Sequence, residues 1–380
     1  MPTTPAGIRR LLRRVADWPP SDLPVISAYL DLRPQATGQN PAVRSGQVVL
    51  RDRLREIERS LEDHTPGHES FGADAERITR FVEDGALPAA QGVAVFACSG
   101  EGRFESVVTG TEMANEVSVG RHPRLLQLAR LADEEQAVVA LADTNTLRLF
   151  TLRAGELEEV GLVDDEPDDY SKSEVGGWSQ ARFQRHVDEH RAQFAGLAAE
   201  AIEQLVARED AGVVVLAGDE VAIPLLRHRL SQPVADKVRG TLRIELRATP
   251  EEVAAEALPF LDAVRDAALA DAADRLVGAV RGDGMAVAGL EDTQRAVEQG
   301  QVMELLIDPA ADFGEEEIES LIRQAVATDA RVRFVEEHGG LRELGGVGGF
   351  LRFRLDRAAD EPADEPAEQS DPVGTARPTR

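Results

Sequence analysis

Few residues in this sequence have the types and spacing that chemistry needs. The densest acidic run is Asp164, Asp165, Glu166, Asp168 and Asp169. Carboxylates that close could hold a cation, but the run surrounds Pro167 and lacks the glycine that a calcium loop needs for its sharp turn. It reads as a charged loop. His186 and His190 have the i, i+4 spacing of a zinc pair, without the H-E-x-x-H arrangement that supplies a base between the ligands. Asp143 is the one carboxylate at a strand end, where a sheet-borne nuclease site would need several. No Gly-rich loop precedes a helix with Lys-Ser or Lys-Thr, so nucleotide hydrolysis is not indicated. The single cysteine, Cys98, excludes an internal disulfide, and its setting, GVAVFACS, reads as a buried strand thiol. Neither a metal nor a cofactor is expected.

A different segment, Gly176-Gly177-Trp178-Ser179-Gln180, leaves two readings open. In one it is a loop-to-helix junction: Ser179 caps the helix, and Trp178 packs on Phe183 as a hydrophobic staple. Phe183, Val187, His190, Phe194, Leu197 and Ala201 then form the buried stripe. The other reading, in which the glycines and Gln180 act on a substrate, rests on the resemblance given below. Arg182, Arg185, His186 and Arg191 just beyond make a little-acidic stretch. It could contact RNA phosphates, or be a solvated helix face with pairs such as Arg185–Glu189.

The elements that must position these residues follow from composition and pattern. A chain of 380 residues allows two or three domains, and 42% hydrophobic residues suffice for packed cores. With 69 acids against 42 bases, a net charge of −27, it is expected to be a poor general nucleic-acid binder, so DNA is not an expected partner. The sequence has no run of about 18 apolar residues and no signal-type apolar stretch near its arginine-containing start. This places it in the cytoplasm, with no membrane partner.

The fold class expected is α/β (α+β) in three domains and a tail. Residues 1–122 form a small α/β block. Val25–Leu32 is a strand, Val43–Leu61 a helix with Val43, Leu50, Leu54, Ile57 and Leu61 on one face, and Ala73–Val82 a second helix. Gly92–Cys98 and Phe104–Thr109 are strands joined by a turn. In residues 123–280, Ala137–Ala142, Leu147–Leu152 and Glu156–Val163 read as three antiparallel strands. A long helix (Gln180–Val206), a strand (Gly212–Ala217), a helix from Asp219, a strand near Leu242–Leu246 and a helical stretch (Pro250–Val280) follow. That is the order of a ribonuclease H-like sheet. Residues 281–356 alternate helix Thr293–Gln299, strand Val302–Ile307, helix Glu315–Ala327 and strand Arg331–Phe334. After a Gly-rich turn comes strand Gly349–Phe353, completing a small three-layer α/β domain. The glycines of GGVGGF are expected to serve the fold through a tight turn. The acidic tail, 357–380, lacks large apolar residues and is expected to be disordered.

Two segments carry a resemblance. GLEDTQRAVEQGQVMELLI, IESLIRQAVATDARVRFV and GGLRELGGVGGFLRF resemble the C-terminal domain of the archaeo-eukaryotic peptide-chain release factor and Pelota superfamily. There the last strand has a Gly-Gly-Ile-Gly-Ala-Leu-Leu-Arg-Tyr-like sequence, similar to Gly345–Phe353. GGWSQARFQRHVDEH, Gly176–His190, is similar to the superfamily's Gly-Gly-Gln loop and the helix behind it. The resemblance spans roughly the last two-thirds of the chain, and the first block shows no stop-codon-reading motif. It implies a bacterial member of the peptidyl-tRNA hydrolase branch, in which Gly176, Gly177 and Gln180 help water attack the ester. A backbone N–H would steady the oxyanion and the glutamine would place the water. It further implies that Trp178, Arg182, Arg185, His186 and Arg191 contact the ribosome. The implied partners are the large subunit, its peptidyl-tRNA and a translational GTPase. This sequence departs from the pattern, because Trp178 and Ser179 separate Gly177 from Gln180. A non-catalytic stalling or hibernation factor that occupies the tRNA site therefore remains the alternative.

Overall fold

A computed structural model describes residues 5–33, 45–62, 64–84, 90–153, 155–164 and 178–353. The chain opens with α1 (Pro5–Ala16), β1 (Val25–Asp31), α2 (Ser45–Glu58), α3 (Pro66–Asp84), β2 (Gly92–Cys98), β3 (Arg103–Thr109) and β4 (Glu116–Gly120). The strands form one antiparallel sheet in the order β3-β2-β1-β4. Alternation splits β1 between two cores. Ile26, Ala28 and Leu30 pack with Leu50 and Leu54 of α2 and Phe71, Ile78 and Val82 of α3. Tyr29, with Phe96 of β2, faces the other way, toward Leu11 and Val15 of α1. With both faces covered, β1 and β2 are buried almost throughout. Cys98 is buried as expected, with its Sγ 3.6 Å from Ser21 Oγ.

Next come α4 (Leu126–Asp133), β5 (Ala137–Ala142), β6 (Thr146–Arg153), β7 (Glu156–Asp164), α5 (Trp178–Glu209), β8 (Val213–Gly218), α6 (Ala222–Arg229), α7 (Gln232–Ala235), β9 (Val238–Leu242) and α8 (Pro250–Arg281). The sheet order is β7-β6-β5-β8-β9: an antiparallel meander whose first strand pairs in parallel with β8, and β8 with β9. This is the ribonuclease H-like order expected from sequence. One strand is displaced. The expected strand at Leu242–Leu246 lies at Val238–Leu242, because hydrogen bonding to β8 stops at Leu242. Ile244 and Leu246 continue the apolar alternation by packing with Val253 and Ala257 of α8. The stripe on α5 is also shifted. Phe194, Ala195, Ala198, Ala199, Ile202, Leu205 and Val206 are buried, whereas Leu197 is 51% exposed. Alanines at 195, 198 and 199 allow the close approach of α6.

The last block comprises β10 (Ala286–Ala288), α9 (Leu290–Glu298), β11 (Val302–Ile307), α10 (Glu315–Ala327), β12 (Arg331–Phe334), α11 (Gly339–Glu343) and β13 (Val347–Leu351). Its sheet runs β10-β13-β11-β12, with β11 and β12 parallel. α9 and α10 cover one face; α11 and the C-terminal half of α8 cover the other, giving three layers. The last strand starts two residues earlier than expected. Gly345 and Gly346 make the turn at φ +94° and +74°, while Gly348 and Gly349 lie inside β13 and pair with β10 and β11. A side chain on Gly346 would run into Ala311 and Phe313.

The three sheets are not packed alike. One core joins the first and last blocks: Leu11, Leu12 and Val15 of α1 and Leu128 and Leu131 of α4 pack with Leu321, Ile322 and Val326 of α10. The middle sheet keeps its own two cores. α8, about 48 Å long at 1.5 Å per residue, buries Val253, Ala257 and Leu261 against the middle sheet and Ala272, Ala273 and Leu276 against the last. Among the described residues no helix is long and apolar enough to cross a membrane.

Candidate functional site

The candidate segment is framed at one edge of the middle sheet. β5 and β8 end there at Ala142 and Gly218, β6 begins at Thr146, and β7 ends at Asp164. The edge is tied by short-range hydrogen bonds. Asp143 Oδ1 accepts from the backbone N–H groups of Asn145 (2.8 Å) and Thr146 (2.7 Å), and Asp164 Oδ1 accepts from Thr146 Oγ1 (2.9 Å). Asp143 thus holds a turn. Gly218 sits at φ +116° with its Cα pressed against the backbone of Ala142, so that any Cβ would overlap the Ala142 carbonyl. Only glycine lets β5 and β8 end side by side here.

α5 leaves this edge. Arg191, Phe194, Ala195 and Ala198 lie beside the Ala142–Thr144 turn and Ala222, Leu225 and Leu226 of α6. N-terminal to Arg191 the helix continues to Trp178, about 20 Å at 1.5 Å per residue. Its first turns therefore stand beyond the sheet edge. Trp178 and Gln180 lie in the first turn of α5, and Arg182, Arg185 and His186 in the turns that follow. Ser179 is inside the helix, not its cap, because α5 begins one residue before it; the expected staple, with Ser179 as cap, is corrected accordingly. Gly176 and Gly177, the acidic run from Asp165 to Asp169, and the side chains of residues 178–187 lie outside the described residues, as does the tail. Arg191 is partly exposed and 3.9 Å from Asp188. Among the described residues no group of three or more His, Cys, Asp or Glu side chains is placed to hold a metal ion.

A second group of residues gave no signal in the sequence. Where α4 ends and the chain turns toward β5, Asp133 and Glu134 face the junction of the three sheets. Burial pushes the Asp133 carboxyl up to about 6, against the opposing pull of Arg331 (3.5 Å) and Arg333 (3.9 Å). Burial, reinforced by the neighbouring Asp133, pushes Glu134 up to about 7, with Arg265 opposing. Both line a groove of about 890 Å³ shared with Glu116, Arg130, Arg265 and Phe334. Locally the sequence shows only a short acidic run, Asp133, Glu134 and Glu135. The burial of the first two depends on β12 and α8, more than a hundred residues away.

Residues 123–260, covering the middle sheet, α5 and the first part of α8, match the family described as Bacterial archaeo-eukaryotic release factor family 10. Over 200 residues the chain is 30% identical to Peptide chain release factor subunit 1 of Aeropyrum pernix, covering 48% of this chain and 52% of that protein. The chain thus spans about half the length of the curated relative it matches. Among solved structures, Dom34 of S. cerevisiae is similar at 11% identity and a TM-score of 0.44 over 70% of this chain and 82% of its own. Archaeoglobus fulgidus Pelota is similar at 16% identity and a TM-score of 0.34 over 94% of each chain. Through residues 123–260 the chain is thus similar to the bacterial archaeo-eukaryotic release factors, and over about half its length it is similar to a peptide chain release factor.

Proposed function

We propose that this chain is a ribosome-associated release or rescue factor of the cytoplasm that acts on peptidyl-tRNA through the Gly176–Gln180 segment. The observation that carries the reading is the family match over residues 123–260, which encloses that segment. The position of α5 supports it: a helix that runs on about 20 Å from Arg191 to its start at Trp178 can deliver a short loop into a cavity too narrow for a domain. The reaction asks little of the side chains. Water attacks the ester carbonyl, the tRNA ribose oxygen leaves, and a backbone N–H near Gln180 stabilises the tetrahedral oxyanion. Gly176 and Gly177 keep the backbone free of side chains in the cavity. Gln180 orients the water, and Trp178, Arg182, Arg185, His186 and Arg191 hold the helix against ribosomal RNA and the tRNA. The large subunit and a translational GTPase are the partners under this reading.

A second reading has its own support. Gln180 is helical, and two residues separate it from Gly177, so α5 could fill the tRNA site without catalysing release. Stalled ribosome–nascent-chain complexes, scored for both co-sedimentation and peptide release, decide between the two. Release above the spontaneous rate supports the hydrolase, and binding without release supports the occupant. Absence of both rejects a ribosomal role.

A further inference from the structure

On a chain of net charge −27, an acidic surface is the default and a basic one calls for a cause. From Ala222 to Thr249 the sequence has Arg227, Arg229, Lys237, Arg239, Arg243 and Arg247 against only Asp236 and Glu245. The structure gathers these residues along one flank of the middle sheet. Arg227 and Arg229 are exposed on α6, and Arg239 is exposed on β9, the last strand of its sheet. Beyond β9, exposure keeps alternating: Arg243, Glu245 and Arg247 face solvent while Leu242, Ile244 and Leu246 pack toward α8. Arg239, Arg243 and Arg247 therefore recur at every fourth residue on the solvent side, successive Cα atoms no more than about 14 Å apart.

Most of these cations are uncommitted. Lys237 Nζ donates to the Ala211 carbonyl (2.8 Å), and Arg243 pairs with Glu220. Among the described residues no carboxylate lies within ion-pairing distance of Arg227, Arg229, Arg239 or Arg247. Several exposed arginines elsewhere are neutralised: Arg9 by Asp210, Arg51 by Glu83, Arg281 by Glu343. A row of free guanidinium groups matches phosphates, which they bind as two-pronged donors. The flank has no aromatic residue between Ala222 and Thr249, so it lacks the anchors typical of a protein interface or a membrane-surface helix. Arg243 and Arg247 follow the C-terminal end of β9, the same sheet edge at which β7 ends and α5 departs.

We infer that the α6–β9 flank, with Arg227, Arg229, Arg239 and Arg247, docks on the phosphate backbone of a helical RNA and orients the middle sheet so that α5 points at its target. This rests on the reading of the chain as a ribosome-associated factor. The acidic remainder disfavours RNA in most other orientations, so the flank, with the basic stretch at the start of α5, supplies direction more than affinity.

The test uses the full chain in four forms. These are the wild type, the Arg227→Glu/Arg229→Glu/Arg239→Glu/Arg247→Glu variant, the same four positions changed to Gln, and a control with equal charge change in the first block (Arg53→Glu/Arg55→Glu/Arg59→Glu/Arg80→Glu). Each is sedimented with stalled ribosomes, and each is titrated with a short RNA duplex, over about 50–200 mM salt. The Glu variant should lose at least tenfold in ribosome affinity, the Gln variant less, and the control nothing. Four lost phosphate contacts should lower the salt slope of duplex binding by about three to four, so that the wild type and the first-block control fall about 10²-fold across that range and the Glu variant does not. A Glu variant that sediments like wild type, or a control that loses as much, overturns the inference. Should wild type not sediment with ribosomes, the ribosomal reading fails and the duplex arm decides the flank. Wild-type binding abolished by the four substitutions sustains it, and no wild-type binding to duplex rejects it as well.

Discussion

Glu319 Oε2 accepts a 2.6 Å hydrogen bond from the backbone N–H of Leu125, 194 residues earlier, and its Oε1 accepts from Leu126 N–H at 3.2 Å. A carboxylate of α10 thus caps α4, the helix that leads into the middle sheet. The first N–H groups of a helix have no partner within it, and the negative charge also suits the positive end of the helix dipole. Glu319 is itself buried. Burial raises its pKa, the two N–H groups and Arg124 oppose the rise, and Glu116 adds to it.

Removing that cap should cost stability. Glu319→Ala leaves two N–H groups without a partner in a buried setting, a loss of about 1–3 kcal/mol. Glu319→Gln retains one amide oxygen as acceptor and should lose less. Denaturant unfolding of the purified variants measures both, and equal midpoints for Glu319→Ala and wild type would show that water replaces the carboxylate.

The carboxylates where α4 ends and the chain turns toward β5 predict a pH dependence with a definite sign. The folded chain holds the Asp133 proton up to about pH 6 and the Glu134 proton up to about pH 7, well above their ordinary values. The folded state then binds more protons than the unfolded one, so unfolding free energy falls as pH rises. This stabilisation is full below about pH 4 and is lost as pH climbs through 6 to 7, on the order of 3 kcal/mol for Glu134. Glu134→Gln should match wild type near pH 5 and melt roughly 3–6 °C higher near pH 8. A pH-independent difference in melting would show that the group titrates normally in the folded chain.

At the sheet edge where β5 and β8 end, Gly218→Ala should be severely destabilising, by about 3 kcal/mol or more. It combines a positive-φ backbone with direct overlap on the Ala142 carbonyl. Gly155, also at positive φ but with open space around it, should lose only about 1 kcal/mol on change to Ala. Thermal melting of the pair separates steric overlap from backbone strain.

If the chain hydrolyses peptidyl-tRNA, Gln180→Ala should slow release about 10²–10³-fold and leave ribosome binding unchanged. A residue that orients water in the transition state adds little to ground-state affinity. Gly177→Ala should act similarly if the loop threads a tight cavity. Trp178→Ala, a ribosome contact under this reading, should weaken ribosome binding and leave release per bound complex as it was. Single-turnover release from stalled complexes reads all three, and Gln180→Ala releasing at the wild-type rate would rule out Gln180 as the group that places the water.

Much of the architecture was written in local pattern. Ala137–Ala142, Val302–Ile307, Glu315–Ala327 and Arg331–Phe334 were legible to the residue, and the meander-then-helix order of the middle sheet followed from them. Turn residues and apolar periodicity act over a few positions, so a linear reading recovers them. Where two burial partners give the same pattern, it could not. Leu242, Ile244 and Leu246 alternate like a strand, but only hydrogen bonding to β8 decides that the strand ends at Leu242. Gly348 reads as a turn residue, yet it lies inside β13, where β10 and β11 pair with the strand from both sides. α4 was missed because its short apolar run is buried by α1 and α10 from opposite ends of the chain. The Glu319 cap, the raised pKa values of Asp133 and Glu134, and the gathering of Arg227, Arg229, Arg239 and Arg247 on one flank depend on which distant segments meet. Desolvation and surface charge density arise from that meeting, so tertiary structure alone decided them.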